Sequence, residues 1–168
     1  DPSQGMPVSS VAAKLREGIA QMQQGLEERK IEIRRTFHLA WLAEGYRGAG
    51  QVDEGLAAIT EALAIVEKND ERFYEAELWR IKGELTLAQS SVQRLESGVT
   101  NAQYLTPSTQ AEAEGYFLKA IAIAQKQQAK SLELRATMSL ARLWQSQSKI
   151  AEARQMLGES YGWFTEGF

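Results

Sequence analysis

Three glycines in the stretch EGYRGAGQ are the first candidates for chemistry, because a glycine-rich loop can cradle phosphate with its backbone N–H groups. Such a loop needs a strand before it and a lysine with serine or threonine after it. Gly45, Gly48 and Gly50 instead follow a helical pattern and precede Asp53 and Glu54. We therefore expect them to end a helix rather than to hold a nucleotide.

The single histidine and the acidic pairs are the other candidates. His38 has no Asp, Glu or second His at metal-ligand spacing, and a zinc site needs three or four ligands. General acid–base catalysis needs two carboxyls that face one cleft in unequal environments. Pairs such as Glu75 with Glu77 fall at predicted helix starts or on outward faces, where they suit the helix dipole. We expect no catalytic residue, no metal ligand, no cofactor and no enzymatic activity in this chain.

Composition narrows the class of protein further. The 168 residues carry a net charge of −3, are 43% hydrophobic and include only 3 prolines, which is typical of a helical chain with a sizeable core. The charges are interspersed, so neither a nucleic-acid footprint nor a membrane anchor is indicated. The absence of cysteine fits a reducing compartment. We expect a cytoplasmic protein.

The stretch 36–66 shows the structural unit that positions these residues. Its first half places Leu39 and Ala43 on one helical stripe, and its second half does the same with Gly55 and Ile59. Gly50 lies between the halves, where a helix can end. This pattern predicts two antiparallel helices joined by a tight turn.

Small residues of this pair recur at fixed distances. Ala43 and Gly83 are 40 positions apart, as are Ala113 and Ala153. Ala43 precedes Gly55 by 12 positions, whereas Gly83 precedes Ala113 by 30. An insertion of 18 residues in the middle unit explains the difference.

These distances divide the chain into units. A linker or vector remnant at 1–8 precedes one repeat domain at 9–168. The domain comprises a helix at 9–24 and repeats at 31–68, 71–128 and 130–163, with an insertion at about 90–109. We expect an all-α fold of about seven helices, arranged as a right-handed α-solenoid of antiparallel helix pairs. A plain helical bundle is the alternative, although it does not explain the repeated spacing.

The repeated positions are similar to the tetratricopeptide pattern, which reads W-x2-L-G-x2-Y, then A-x3-F, then P. Trp79 and Gly83 match its first part, and Ala113 and Phe117 match its second part. The period of 40 is longer than the usual 34, and no proline closes a unit. The repeats are therefore tetratricopeptide-like with long helices.

Two stretches resemble the C-terminal repeat region of bacterial proteins in which a class III adenylate/guanylate cyclase domain is followed by an AAA-type ATPase and then tetratricopeptide repeats. They are 71–85, ERFYEAELWRIKGEL, and 128–168. The resemblance extends more loosely over 15–123. It implies a regulatory repeat region, and neither the metal-binding aspartates of the cyclase nor an ATPase phosphate loop is present in this chain.

Positions beside the packing stripe on the first helix of each pair should line the concave face, which is the usual ligand surface of stacked helix pairs. Arginines recur there and could offer forked donors to carboxylates of a partner. The alternative is that they pair with Glu44, Glu77 and Glu84. The predicted binding residues are Phe37, Glu44, Arg47, Arg80, Glu84, Arg135, Met138, Arg142 and Gln145.

The function predicted from these patterns is a non-catalytic protein–protein interaction module in signalling. Its partner would be a protein, a peptide or another domain of its own parent chain, and not nucleic acid or a membrane. The alternative is an oligomerisation element, in which the open ends of the solenoid stack on another copy.

Overall fold

Seven α-helices make up the part of the chain described by the computed structural model, which covers residues 8–29, 35–96 and 107–166. The helices are α1 (Val8–Arg29), α2 (Arg35–Ala49), α3 (Val52–Asn69), α4 (Glu75–Glu96), α5 (Pro107–Lys126), α6 (Lys130–Ser146) and α7 (Ile150–Glu166). A short 3-10 turn, Arg72–Tyr74, precedes α4. These residues include no strand, so the all-α prediction is confirmed for them.

The helix bounds differ in places from the predicted ones. α1 spans 22 residues and is longer than the predicted helix at 9–24. The insertion predicted at about 90–109 is helical at both of its edges, because α4 runs to Glu96 and α5 begins at Pro107. Proline suits the first turn of a helix, where its missing N–H would have no partner. The rest of that insertion, the predicted linker at 1–7 and the residues 30–34 and 167–168 lie outside the described residues.

The turns inside the first and third units have the same geometry. Gly50 and Ser148, which are 98 positions apart, both have positive φ values, of 76° and 65°. The following residue donates its N–H to a carbonyl five positions back, from Gln51 to Tyr46 and from Lys149 to Trp144, each at 2.9 Å. A left-handed residue followed by this hydrogen bond ends a helix and reverses the chain. The repeated spacing in the sequence therefore corresponds to a repeated turn.

Each helix contacts the next one along the chain, and α2 also contacts α4, as α4 contacts α6. The largest apolar cluster lies between α2, α3 and α4 and includes Ile59, Leu78 and Leu85. A second cluster joins α5 and α6 around Phe117, and a third joins α1 and α2 around Ile19. Burying these side chains is the main favourable term in folding, at about 1.5–3 kcal/mol for each large one.

The length and hydropathy of each described helix determine whether it could span a membrane. Among the described helices, none is both long and apolar enough to cross a bilayer.

Candidate binding surfaces

The glycine cluster serves the packing of α2. Gly50 has the left-handed conformation that ends the helix. A Cβ atom on Gly45 would lie 3.2 Å from Ile19 Cγ1, and one on Gly48 would lie 3.3 Å from Leu15 Cδ2. Two of the glycines thus allow α1 to approach α2 closely, and the third makes the turn, in agreement with their interpretation as a helix end.

His38 lies exposed on α2, beside the ring of Phe37. Within the described ranges, no group of three His, Cys, Asp or Glu side chains could hold a metal ion. The predicted absence of cofactors and of catalysis stays a prediction.

Six charged side chains from α2, α4 and α6 form what we call the ion network. Its members are Glu44, Arg47, Glu77, Arg80, Glu84 and Arg135.

Arg80 is the centre of this network and is buried. Its guanidinium donates two hydrogen bonds to the buried carboxylate of Glu77, with Nε 3.0 Å from Oε2 and Nη2 2.8 Å from Oε1. It also donates to Glu44 on α2 and lies 3.6 Å from Glu84 on its own helix. Arg135 on α6 lies 2.7 Å from Glu77. The bidentate pair of Arg80 and Glu77, which is the strongest geometry for an arginine and a carboxylate, lies within α4. Its two members reach α2 through Glu44 and α6 through Arg135, so the network ties three helices together.

The electrostatics of the network keep its members charged. Burial by itself would raise the pKa of Glu44, but hydrogen bonds from Arg80 and Arg47 outweigh burial and hold that pKa below its ordinary value. Burial would lower the pKa of Arg80, and the hydrogen bonds to Glu77 and Glu44 raise it above its ordinary value instead. At neutral pH both groups are ionised and paired, so the network is a structural element of the fold.

Aromatic rings lie beside the network. The ring centroid of Phe37 is 4.7 Å from that of Trp41 and 5.0 Å from that of Tyr74. Trp41 nevertheless leaves 55% of its surface exposed. Trp41 and Tyr74 border a cavity of about 330 Å³, which we call the aromatic groove; it is lined by Met22, Trp41, Glu44, Tyr74, Glu77, Ile81 and Arg135.

A second concave surface lies between the last two helices, and we call it the α6–α7 groove. Its volume is about 320 Å³, and it is lined by Met138, Ala141, Arg142, Gln145, Ile150, Ala153, Arg154 and Leu157. Its floor is made of the small residues Ala141 and Ala153, and its rim carries two exposed arginines. The groove is therefore apolar at the bottom and positively charged at the edge.

The nine predicted binding residues separate into two groups. Phe37 does not line the aromatic groove but contacts the ring of Trp41, which does, and Glu44, Arg47, Arg80, Glu84 and Arg135 belong to the ion network. Met138, Arg142 and Gln145 line the α6–α7 groove. Arg80 is internal rather than a surface contact, because its hydrogen-bonding groups face carboxylates of its own chain.

Sequence reasoning missed Trp41, Tyr74 and the α7 side of the second groove. Trp41 is outside the strict repeat pattern, and that irregularity is the signal that could have drawn attention to it. Trp79 and Trp144 are half-buried. Their indole N–H groups donate to Glu75 at 3.4 Å and to Glu114 at 3.0 Å.

The chain matches no protein-family model, no curated protein and no solved structure. Its function must therefore be argued from the two grooves and the ion network.

Proposed function

We propose that the helices form a right-handed α-solenoid of antiparallel pairs. In such a fold each helix contacts its neighbours in sequence, and the first helices of successive pairs contact one another. The contacts of α2 with α4 and of α4 with α6 fit this arrangement. So does the common turn geometry at Gly50 and Ser148, because equal turns repeated along a chain produce equal helix pairs.

Within this architecture, the proposed function is a non-catalytic protein-interaction module that binds a peptide or a folded partner at the aromatic groove. The observation that carries the proposal is the exposed face of Trp41, held in place by Phe37 at one edge and set beside the paired charges of Glu77 and Arg135. Large aromatic side chains that are already ordered lose little conformational entropy on binding, and tryptophan is enriched among residues that dominate binding energy.

The parent protein on this proposal is a cytoplasmic signalling protein of the cyclase–ATPase–tetratricopeptide type, with this chain as its regulatory repeat region. The partner is then another protein or another domain of the same polypeptide. The sequence resemblance at 71–85 and 128–168 supports this assignment, and the all-helical fold is compatible with it.

Self-association is the second candidate function. The observation that favours it is exposed apolar surface on the first and last helices, at Val11 on α1 and at Tyr161 and Trp163 on α7. End-to-end stacking would cover both surfaces. Light scattering over a range of concentrations tests it, because a stacking protein grows in mass with concentration and a monomeric peptide binder does not.

The main test compares two tryptophans of nearly equal exposure. Trp41 is 55% exposed in the aromatic groove and Trp163 is 52% exposed on α7, so Trp163→Ala is a matched control for Trp41→Ala. Proteins captured from a bacterial lysate by the immobilised chain should be retained by Trp163→Ala and lost with Trp41→Ala. Removing a central tryptophan typically weakens binding by about 2 kcal/mol or more, which is roughly a factor of 30. If the two variants capture the same proteins in the same amounts, the aromatic groove is not the binding site.

A further inference from the structure

Grooves equivalent to the α6–α7 groove are present in the first and middle units, and in both of those units a helix covers the groove. The spacing of 98 residues relates Ala141 and Ala153 on its floor to Ala43 and Gly55 between α2 and α3. There the next helix, α4, packs over the floor, and Leu85 Cδ2 lies only 2.8 Å from where a Cβ atom on Gly55 would be. The groove in the last unit has the same floor without a covering helix among the described residues.

The middle unit repeats the covered arrangement. Gly83 is the counterpart of Ala141, 58 positions before it, and Ala113 is the counterpart of Gly55, 58 positions after it. Both Gly83 and Ala113 are buried. Leu140 and Leu143 of α6 pack there against Phe117. Two grooves of this kind thus receive a helix that presents leucine side chains.

Exposure at the rim shows that the last groove is open. Met138 and Ile150 are 38% and 48% exposed, whereas their counterparts in the first unit, Ala40 and Val52, are 0% and 6% exposed. Methionine is flexible and adapts to different apolar partners, which suits a surface that receives another molecule. The last unit therefore presents apolar side chains at positions that the first unit covers.

The charge at the rim is reversed between the covered grooves and the open one. Arg142 stands where the first two units have Glu44 and Glu84, and Arg154 stands where the middle unit has Glu114. In the covered grooves these acidic residues are satisfied by the helix that lies on top. Arg80 of α4 donates to Glu44, Ser139 of α6 donates to Glu84 at 2.7 Å, and Trp144 of α6 donates to Glu114 at 3.0 Å.

In the open groove the corresponding groups are donors. Arg142 and Arg154 form no ion pair or hydrogen bond with the side chains that the structure describes at 11–25, 35–92 and 107–163, and both are exposed. A guanidinium has five donors and no acceptor, so the helix that completes this groove must bring carboxylates where α4 and α6 bring donors.

We propose that the α6–α7 groove binds an acidic amphipathic α-helix of a partner protein. The leucine-type side chains of that helix cover Met138 and Ile150, and its carboxylates pair with Arg142 and Arg154. In the covered grooves the polar group precedes the packed leucine by five residues in α4, from Arg80 to Leu85, and by four in α6, from Ser139 to Leu143. The partner helix therefore carries an Asp or Glu four or five residues before a leucine.

A pair of synthetic peptides tests this proposal. Both have the sequence of α4 from 75 to 90 and are stapled on the outward face so that they are helical in water. One keeps Arg80, and in the other Arg80 is replaced by Glu. Fluorescence anisotropy with the full chain at low salt should show at least tenfold tighter binding of the peptide with Glu, and the preference should weaken as salt is added.

Charge reversal in the groove gives the decisive comparison. The variant Arg142→Glu/Arg154→Glu should reverse the preference and bind the peptide that retains arginine. Arg16→Glu on α1 is the matched control, since it reverses the charge of an exposed arginine outside the groove, and it should leave the preference unchanged. Circular dichroism confirms that all variants keep their helix content.

Three outcomes would overturn the proposal: equal binding of the two peptides, no binding of either helical peptide at concentrations on the order of 1 mM, or a preference that survives Arg142→Glu/Arg154→Glu. Sedimentation that shows a dimer which the same variant dissociates would assign the groove to a second copy instead. Trp41→Ala should not change peptide binding at the α6–α7 groove. The proposal for this groove can therefore fail while the proposal for the aromatic groove stands, and the reverse is also true.

Discussion

Gly83 provides the sharpest test of how the helices pack, because the two effects of adding a methyl group there oppose each other. Gly83 lies inside α4, where alanine has a better intrinsic helix propensity by about 1 kcal/mol. A Cβ atom at this position would lie 2.4, 2.8 and 2.9 Å from three ring carbons of Phe117, which is completely buried. Ordinary van der Waals contacts begin near 3.4 Å, so the ring must retreat by 1.0 Å, the difference between 3.4 and 2.4 Å.

We expect Gly83→Ala to destabilise the protein despite its higher helix propensity. Forcing an extra carbon into a filled core costs about 1–3 kcal/mol, and Phe117 is a rigid ring without free space to move into. The net loss of unfolding free energy should be about 1–2 kcal/mol after the gain in propensity is included. Urea unfolding followed by circular dichroism measures it directly.

Gly115→Ala is the matched control. Gly115 also lies inside a helix, α5, but it is exposed and no atom lies within 4 Å of an added Cβ. That substitution should raise the unfolding free energy by about 0.5–1 kcal/mol. Equal stabilisation by both substitutions would show that α4 and α5 do not approach as described.

The size of the Phe117 ring can be varied to confirm the cause. Phe117→Leu removes ring atoms that face Gly83, so Gly83→Ala should be less harmful in that background. The double-mutant cycle should give a coupling of about 1 kcal/mol or more. Additive effects would mean that the destabilisation by Gly83→Ala has another origin.

The ion network and the pH dependence yield the remaining predictions. Arg80→Ala should lower the unfolding free energy by about 3 kcal/mol, because it leaves the buried carboxylate of Glu77 with one partner fewer. Arg142→Ala should change the unfolding free energy by less than about 0.5 kcal/mol. Similar effects of the two substitutions in thermal or urea unfolding would contradict the burial of Arg80. The pKa of Glu44 is lowered by folding, so its ionised form stabilises the protein at neutral pH, and this stabilisation is lost as the pH falls below the ordinary value of 4.5 and through the folded pKa. The difference in unfolding free energy between the wild type and Glu44→Gln should therefore shrink on acidification, and a difference independent of pH would refute the role of Arg80 and Arg47. Tyr116 should titrate with a pKa of about 12, raised first by burial and then by the hydrogen bond to Glu112, and ultraviolet absorbance at high pH follows it.

The positions of the helices could be predicted from the sequence because they depend on local patterns. Ala43, Gly55 and Ala113 mark places where a neighbouring helix lies close, and their spacing reveals the repeat before any contact is known. The left-handed turn at Ser148 illustrates the limit of such reasoning. Glycine at the equivalent position in the first unit signals the turn, but serine does not, and only the common spacing reveals the correspondence.

The state of Arg80 could not be predicted, since an arginine beside a packing stripe looks the same whether it faces solvent or carboxylates. What decides its burial is the meeting of Glu44 and Glu77 from two helices, 33 positions apart in the chain. The sequence pattern left both interpretations open. The structure favours pairing for Arg47, Arg80 and Arg135, and it leaves Arg142 as an arginine available to a partner.

Comparison of equivalent positions in the three units separates residues that maintain the fold from residues that distinguish one surface from another. Floors stay small in every unit, from Ala43 to Gly83 to Ala141, because a helix must be able to approach there. Rims change charge, from Glu44 and Glu84 to Arg142, and a solvated surface has no physical need for such a change. A reversed charge over an unchanged floor has a simple physical consequence: it admits a helix of similar shape that brings carboxylates where α4 and α6 bring hydrogen-bond donors. The peptide pair tests that consequence because the two peptides differ only at position 80, the residue of the covering helix that meets the rim.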